Sequence, residues 1–128
     1  MTRMGHAQAL DDINKGFAAD DMALLGRASA QPATPFFRFP GFAHTPELLA
    51  EMARRGIIVF GADLWASDWN VMSADQQLRL ITERLDALGG GIVLFHDTKQ
   101  QTAAMIPAFL RYLKTNGYKV VHIVPSSR

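Results

Sequence analysis

The chain has 128 residues, of which 48% are hydrophobic and 20% charged, and 13 Lys and Arg residues balance 12 Asp and Glu residues. This length suits one domain that buries roughly two-thirds of its unfolded surface. The net charge of +1 gives no electrostatic reason to expect nucleic acid or an anionic membrane as a partner. The absence of Cys excludes disulfides, thiol catalysis and Cys-ligated metal centres.

The sequence shows neither a membrane-spanning segment nor a signal peptide. No apolar run reaches the roughly 18 residues of a membrane-spanning helix. The first six residues lack the apolar core of a signal peptide. We therefore expect no membrane partner, and the sequence leaves the compartment open.

The first half of the chain predicts two helices and two strands. Apolar residues spaced by three to five predict an amphipathic helix over residues 7–25, followed by a loop to residue 35. Residues 36–39 predict a short strand. Thr45 as a cap and Pro46 at the first helical position predict a second helix, which Gly56 ends. The apolar, β-branched run at residues 57–60 predicts a strand covered on both faces.

The second half repeats this alternation. Ser73 and Gln76 form a capping box before a helix with apolar residues on one stripe, which ends at residue 89. Residues 92–95 predict a buried strand. Thr98 with Gln101 predicts a second capping box before a helix to residue 116, which Pro107 should kink or delay. Residues 119–123 predict the last strand.

The order of the elements predicts an α/β fold with mainly parallel strands, because strands joined by crossover helices run parallel. We expect one domain over residues 1–128, with a leading helix and loop at 1–34 and strand–helix units at 35–124. Functional groups in such sheets gather beyond the carboxyl ends of the strands.

Polar and aromatic side chains follow the first three predicted strands. They are Arg38 and Pro40, then Asp63, Trp65, Asp68 and Trp69, then His96 and Asp97. Because neighbouring parallel strands share an edge, we expect these groups to converge. They suit acid/base chemistry and stacking on sugar rings.

Each of these residues also has a structural interpretation. Arg38 can form a surface ion pair, the Trp residues can pack, the Asp residues can cap or turn loops, and His96 can bond to backbone in a core. The sequence has no His-x-x-x-His pair, no Gly-rich phosphate loop and no Gly-x-Ser-x-Gly. It therefore shows no metal site and no serine hydrolase elbow.

Three segments, in this order, resemble the C-terminal half of the polysaccharide deacetylases, the NodB-homology domain of carbohydrate esterase family 4. Residues 38–41 (Arg-Phe-Pro-Gly) resemble the family's Arg-x-Pro-Tyr motif. Residues 65–69 (Trp-Ala-Ser-Asp-Trp) resemble its Asp-x-x-Asp-Trp motif, and residues 94–97 (Leu-Phe-His-Asp) its Leu-x-His motif. The resemblance spans residues 35–124 and implies the C-terminal half of a distorted (β/α) barrel.

The resemblance implies three catalytic roles. His96 would be the general acid that protonates the leaving amine of an N-acetylated sugar. Asp68 would hold and tune His96, and Arg38 would pair with the catalytic-base carboxylate. N-acetylated polysaccharide or oligosaccharide is the implied substrate.

The resemblance also implies a substrate site. Leu94 and Trp69 would line the pocket for the acetyl methyl group. The N–H of Gly41, which follows Pro40, would donate to the oxyanion. Trp65 replaces the first Asp of its motif and would face the sugar groove.

Two family motifs do not occur in the sequence. These are Thr-Phe-Asp-Asp, which supplies the base and a metal ligand, and His-Ser/Thr-x-x-His, which supplies two metal-ligating His. Both lie upstream in the family, so we expect the chain to begin after the second motif. A complete member would hold a divalent metal such as zinc, whereas we expect none here and little or no activity from this chain alone.

Three further expectations remain open. A half-barrel exposes sheet edges, which a second copy, a domain swap or the first helix could cover. A non-catalytic carbohydrate-binding or structural remnant of the same fold is the alternative function. The third interpretation is an unrelated α/β domain with chance motif matches.

Overall fold

The computed structural model describes residues 4–125 and alternates short strands with longer helices. Its elements are α1 His6–Leu25, β1 Phe36–Phe37, α2 Pro46–Arg54, β2 Ile58–Val59, β3 Leu64–Trp65, α3 Ala74–Leu88, β4 Val93–Leu94 and α4 Gln100–Thr115. A single 3₁₀ turn, Pro40–Phe42, follows β1. No helix within residues 4–125 combines the length and apolar character that crossing a bilayer requires. The chain divides into two compact units, one running to Gly61 and including the segment from Ile123, the other Ala62–His122.

The first unit packs two helices with one parallel strand pair. Strands β1 and β2 pair Phe36 with Ile58 and Phe37 with Val59. Helix α2 begins where the sequence predicts, because the Thr45 hydroxyl accepts the N–H of Leu48 at 3.3 Å. Buried apolar residues from both helices and the strand region form the core of this unit: Ala9, Ile13, Phe17, Phe39, Leu48, Met52 and Ile57.

The second unit has the same plan. Strands β3 and β4 are parallel and pair Leu64 with Val93 and Trp65 with Leu94. The capping box predicted at the start of α3 is present, since Ser73 and Gln76 exchange side-chain and backbone hydrogen bonds. Apolar stripes of α3 and α4 close over β3 and form a second core: Leu64, Ala66, Ile81, Leu85, Met105, Phe109 and Leu113. The predicted α/β class with parallel strands is confirmed.

Strand β3 corrects the sequence interpretation. We expected Asp63, Trp65, Asp68 and Trp69 to follow the strand at residues 57–60, but Trp65 lies within a separate strand and Asp68 and Trp69 follow it. Two residues are too few to show a period-2 pattern in sequence. The strand exists because β4 provides its hydrogen-bonding partner, as when Ala66 N–H donates to the Leu94 carbonyl at 3.1 Å.

Two further predictions were wrong. Residues 119–123 form no strand. Val120 and Val121 are about three-quarters exposed, and β-branched residues form a strand only beside another strand. Thr98 and Gln101 form no capping box, because α4 begins after Lys99 without a side-chain cap and the Gln101 amide bonds elsewhere. Pro107 lies inside α4 and does not delay its start, so a kink there stays a prediction.

Candidate active site

The chain turns sharply after β3 and brings Asp68 into the interior of the second unit. Ser67 adopts a left-handed conformation with φ of 53°, which is uncommon for a residue other than Gly and often marks a functional turn. The Arg84 guanidinium holds this turn by donating to the Ser67 hydroxyl at 2.8 Å and to the Trp65 carbonyl. The side chain of Asp68, next in sequence, is 1% exposed.

His96 follows β4 and contacts Asp68 through two of its groups. Its backbone N–H donates to Asp68 Oδ2 at 2.6 Å, and its ring Nδ1 lies 2.7 Å from Asp68 Oδ1. A carboxylate only accepts hydrogen bonds, so Nδ1 carries the hydrogen and Nε2 is the ring nitrogen left to exchange a proton. The His96 side chain is 35% exposed, so this proton exchange can reach a bound molecule.

The charge of Asp68 is stabilised where it is buried. Burial by itself raises the pKa of the Asp68 carboxyl, but hydrogen bonds from His96 and Thr102 and the nearby imidazole outweigh it and lower that pKa below its usual range. Asp68 is therefore a carboxylate at neutral pH. Such a group fixes both the tautomer and the orientation of the imidazole.

Aromatic and amide groups surround this pair. The Trp69 ring is 52% exposed and meets the His96 ring edge to face, with the ring centres 6.3 Å apart. The Gln101 amide donates to the carbonyls of Asp68 at 3.0 Å and Asn70 at 3.1 Å. Helix α4 thereby holds the segment that carries Asp68 and Trp69.

Trp65 and Leu94 lie side by side on β3 and β4. Trp65 is 40% exposed, whereas Leu94 is half-buried. A shallow cleft of about 310 Å³ lies beside β3, lined by Leu64, Trp65, Arg84 and Leu88 among others. Asp63 does not join the His96 site, because its carboxylate accepts the N–H of Ile92 at 2.7 Å.

The other three predicted site residues lie in the first unit. The Arg38 guanidinium carbon is 5.7 Å from the centre of the Phe42 ring, a cation–π distance. Pro40 and Gly41 form the 3₁₀ turn, in which Gly41 has φ of 60°. The convergence of these residues with His96 and Asp68 remains a prediction.

Sequence reasoning missed two polar residues next to Asp68. The Thr102 hydroxyl donates to Asp68 Oδ2 at 3.0 Å and accepts from Gln77 Nε2 at 2.9 Å. Both residues stand on the buried stripes of their helices, Gln77 with Ile81 and Thr102 with Met105. The sequence could have indicated both residues, because each is a polar residue on an otherwise apolar helix stripe. Polar residues are mostly exposed, so a buried one is informative.

A metal ion is implied by the resemblance, so the available donor groups matter. Within residues 4–125, no three His, Asp or Glu side chains lie close enough together to hold a metal ion. The described residues therefore do not fit a metal centre.

Solved structures provide the comparison with known proteins. A peptidoglycan deacetylase from Bdellovibrio bacteriovorus is 31% identical with a TM-score of 0.73, over 83% of this chain and 30% of that one. A family 4 carbohydrate esterase from Streptomyces lividans, solved with acetate, is 28% identical with a TM-score of 0.75, over 99% of this chain and 62% of that one. The catalytic domain of a peptidoglycan N-acetylglucosamine deacetylase from Eubacterium rectale shares the fold at 20% identity, with a TM-score of 0.77, over 95% of this chain and 59% of that one.

The likeness is structural rather than a match of the whole sequence. No protein-family profile matches the sequence, and no curated protein matches it significantly. The chain spans 30% of the Bdellovibrio protein and 62% of the Streptomyces protein. Taken with the three sequence motifs, these structures show that the chain is similar to polysaccharide deacetylases of carbohydrate esterase family 4 over most of its length.

Proposed function

We propose that this chain forms the general-acid side of a hydrolytic site that removes acetyl groups from the nitrogen of amino sugars in a polysaccharide. The observation that carries the proposal is the His96 imidazole, with Nδ1 held at 2.7 Å by the buried Asp68 and its side chain 35% exposed. The peptidoglycan deacetylase and the carbohydrate esterase that share this structure support the substrate class.

The chemistry of these residues is proton delivery. In acetamide hydrolysis, a base takes a proton from water as the water oxygen adds to the carbonyl carbon, and the C–N bond then breaks as the nitrogen gains a proton. Protonated His96 gives its Nε2 proton to that nitrogen, so that a free amine and acetate leave. Asp68 stays ionised throughout and compensates the positive charge of the imidazolium.

The proposed substrate groove uses the remaining predicted residues. Trp69, exposed beside His96, presents a face on which a sugar ring can stack. Leu94 and Trp69 would bound the acetyl methyl group, and Trp65 would extend the groove. In the first unit, the N–H of Gly41, after Pro40, would donate to the developing oxyanion, and Arg38 would pair with the base.

The base and the metal-ligand motifs of the family are not among the 128 residues. We therefore propose that this chain alone releases little or no acetate, and that it corresponds to the C-terminal half of a distorted (β/α) barrel. A zinc ion bound by the missing motifs would supply an activated water in a complete enzyme.

His96→Ala tests the proposed role of the imidazole. In an enzyme that carries this chain together with the base and metal-ligand motifs, acetate release from chitooligosaccharide should fall by about 10²–10⁴-fold, the usual effect of losing a general acid. His122→Ala, which removes an exposed imidazole of the same unit, should leave the rate unchanged. Full activity of His96→Ala would refute the role.

The alternative function is carbohydrate binding without catalysis. It is favoured by the two exposed Trp side chains, because exposed aromatic faces suit stacking on sugar rings. It predicts that the chain binds chitooligosaccharide, seen as shifts of the Trp69 indole signal, while neither zinc nor added upstream motifs produce acetate. Acetate release from the complemented enzyme would exclude this alternative.

A further inference from the structure

We infer that Thr102 and Gln77 are positioning residues, which hold the Asp68 carboxylate in the orientation that grips His96. They form a hydrogen-bonded chain that starts between α3 and α4 and ends at the exposed imidazole. Its catalytic meaning rests on the function proposed above, whereas its contacts belong to the second unit alone.

The contacts are continuous and almost entirely buried. Gln77 Nε2 lies 2.9 Å from Thr102 Oγ1, Thr102 Oγ1 lies 3.0 Å from Asp68 Oδ2, and Asp68 Oδ1 lies 2.7 Å from His96 Nδ1. Gln77, Thr102 and Asp68 are 0%, 3% and 1% exposed. Water therefore cannot substitute for a missing member of the chain without opening the core.

The hydrogen bonds from Gln77 to Asp68 run in one donor-to-acceptor direction, and Gln77 sets it. Its amide N–H occupies the acceptor side of the Thr102 hydroxyl, so the single hydroxyl hydrogen points to Asp68, which can only accept. If the amide were reversed, its oxygen would compete with Asp68 for that hydrogen. The Gln77 amide therefore keeps a donor directed at the carboxylate.

This arrangement leaves a buried acceptor unsatisfied. Gln77 Oε1 has no hydrogen-bond partner in the part of the chain that the structure describes. An unsatisfied buried acceptor is destabilising, and an apolar residue would suit the stripe that Gln77 shares with Ile81 and Leu85. A residue that weakens the core while orienting Thr102 is better explained by positioning than by packing.

The hydrogen bonds at Asp68 show how its carboxylate is oriented towards the His96 ring. Oδ2 accepts both the His96 backbone N–H and the Thr102 hydroxyl, which leaves Oδ1 to the imidazole. Without the hydroxyl, Oδ2 would keep only the His96 backbone N–H, so less would resist rotation of the carboxylate about its last torsion. Although burial raises the pKa of Asp68, the Thr102 hydrogen bond is among the interactions that lower it.

The test uses the 128-residue chain and needs no activity. In Thr102→Val, which keeps the shape and removes the hydroxyl, carboxyl NMR should show Asp68 titrating at higher pH than in the wild type. The Nδ1–H of His96 should exchange with solvent at least about tenfold faster, the factor expected when a hydrogen bond to a charged group is lost. Thr102→Ser should restore both readouts, and Gln77→Leu should shift them less, in the same direction.

Thr82→Val is the matched control. It removes a half-buried hydroxyl from α3 that donates only to carbonyls of its own helix, those of Leu78 at 2.9 Å and Arg79 at 3.0 Å. It should change neither the Asp68 titration nor the His96 exchange. Equal behaviour of Thr102→Val and Thr82→Val would overturn the inference.

If Thr102→Val does not fold, Gln77→Leu decides, because it keeps the hydroxyl and removes only its orienting donor. Unchanged His96 exchange in Gln77→Leu would then overturn the inference. In an active enzyme carrying this chain, Thr102→Val should lower kcat and leave KM unchanged. Failure to detect acetate release would count against the proposed function but would leave the NMR result standing.

Discussion

Asp68 illustrates how one residue combines a structural and a chemical task. Its carboxylate accepts three hydrogen bonds, from the His96 backbone, the His96 ring and Thr102. The sequence singled out both Asp68 and His96 as residues beyond strand ends, although Asp68 follows β3 and not the predicted strand at residues 57–60. The sequence did not predict the role of Thr102, because Thr102 and Asp68 are 34 residues apart in sequence.

The acid stability of the chain should depend on Asp68. Its pKa in the folded chain lies below the ordinary value of 3.8, so its stabilising contribution is fully present above that pH and is lost as pH falls through the folded pKa. Asp68→Asn removes this contribution and sets an amide N–H against a donor, which should cost about 1–3 kcal/mol at pH 7. Urea unfolding from pH 7 to pH 2 should show the gap between wild type and variant closing at low pH.

Asp97→Asn provides the comparison, because Asp97 is an exposed carboxylate next to His96 in sequence. It should unfold with nearly the wild-type free energy across the same range. A constant gap between wild type and Asp68→Asn from pH 7 to pH 2 would contradict the linkage.

At the scale of the elements, the register of β3 on β4 depends on one loop. Gly91 has φ of 139°, and a Cβ atom there would lie 2.9 Å from Asp63 Cβ. The close approach allows the Asp63 carboxylate to accept the Ile92 N–H at 2.7 Å. Gly89 to Gly91 looked in sequence like a helix stop alone, because the neighbour of Gly91, Asp63, lies 28 residues earlier and directly precedes β3.

Gly90→Ala and Gly91→Ala distinguish the cost of backbone strain from the cost of a clash between the new Cβ atom and Asp63. Gly90 also has a positive φ, 147°, but a Cβ there meets nothing within 4 Å. Gly91→Ala should therefore destabilise the chain by about 1–3 kcal/mol more than Gly90→Ala in urea unfolding, the usual cost of overpacking. Asp63→Ala should remove part of that difference, whereas equal unfolding free energies for the two Gly→Ala variants would disprove the contact.

Helix ends show where local sequence suffices. The capping boxes at Ser73 and at Thr98 have the same spacing in sequence, yet only the first forms. Gln101 has better partners in the carbonyls of Asp68 and Asn70. A local signal loses when tertiary structure provides alternative hydrogen bonds for the same amide.

At the scale of the whole molecule, the sheets are small. Each sheet in residues 4–125 has two strands, so each strand has one side with no strand beside it. Unpaired edges favour association with another chain. We therefore keep the expectation that copies of this chain associate through these edges.

Light scattering over a roughly 100-fold range of concentration tests the association. The mass should rise from 14.1 kDa towards twice that value. Ile58→Lys, which places a charge on β2 where Ile58 is 53% exposed, should reduce the rise, whereas Val120→Lys, at a residue 74% exposed outside the sheets, should not. A monomer mass independent of concentration would rule out the association.

The sequence by itself determined the helices, the caps at Thr45 and Ser73 and the parallel α/β class. These features depend on residues within a few positions of one another, so periodicity and spacing reveal them. Only the tertiary structure decided that β3 exists, that residues 119–123 form no strand and that Gln77 and Thr102 reach Asp68. Those outcomes depend on partners 25 to 34 residues away or on the presence of a neighbouring strand, and hydrogen bonds between such partners form only when the chain is packed.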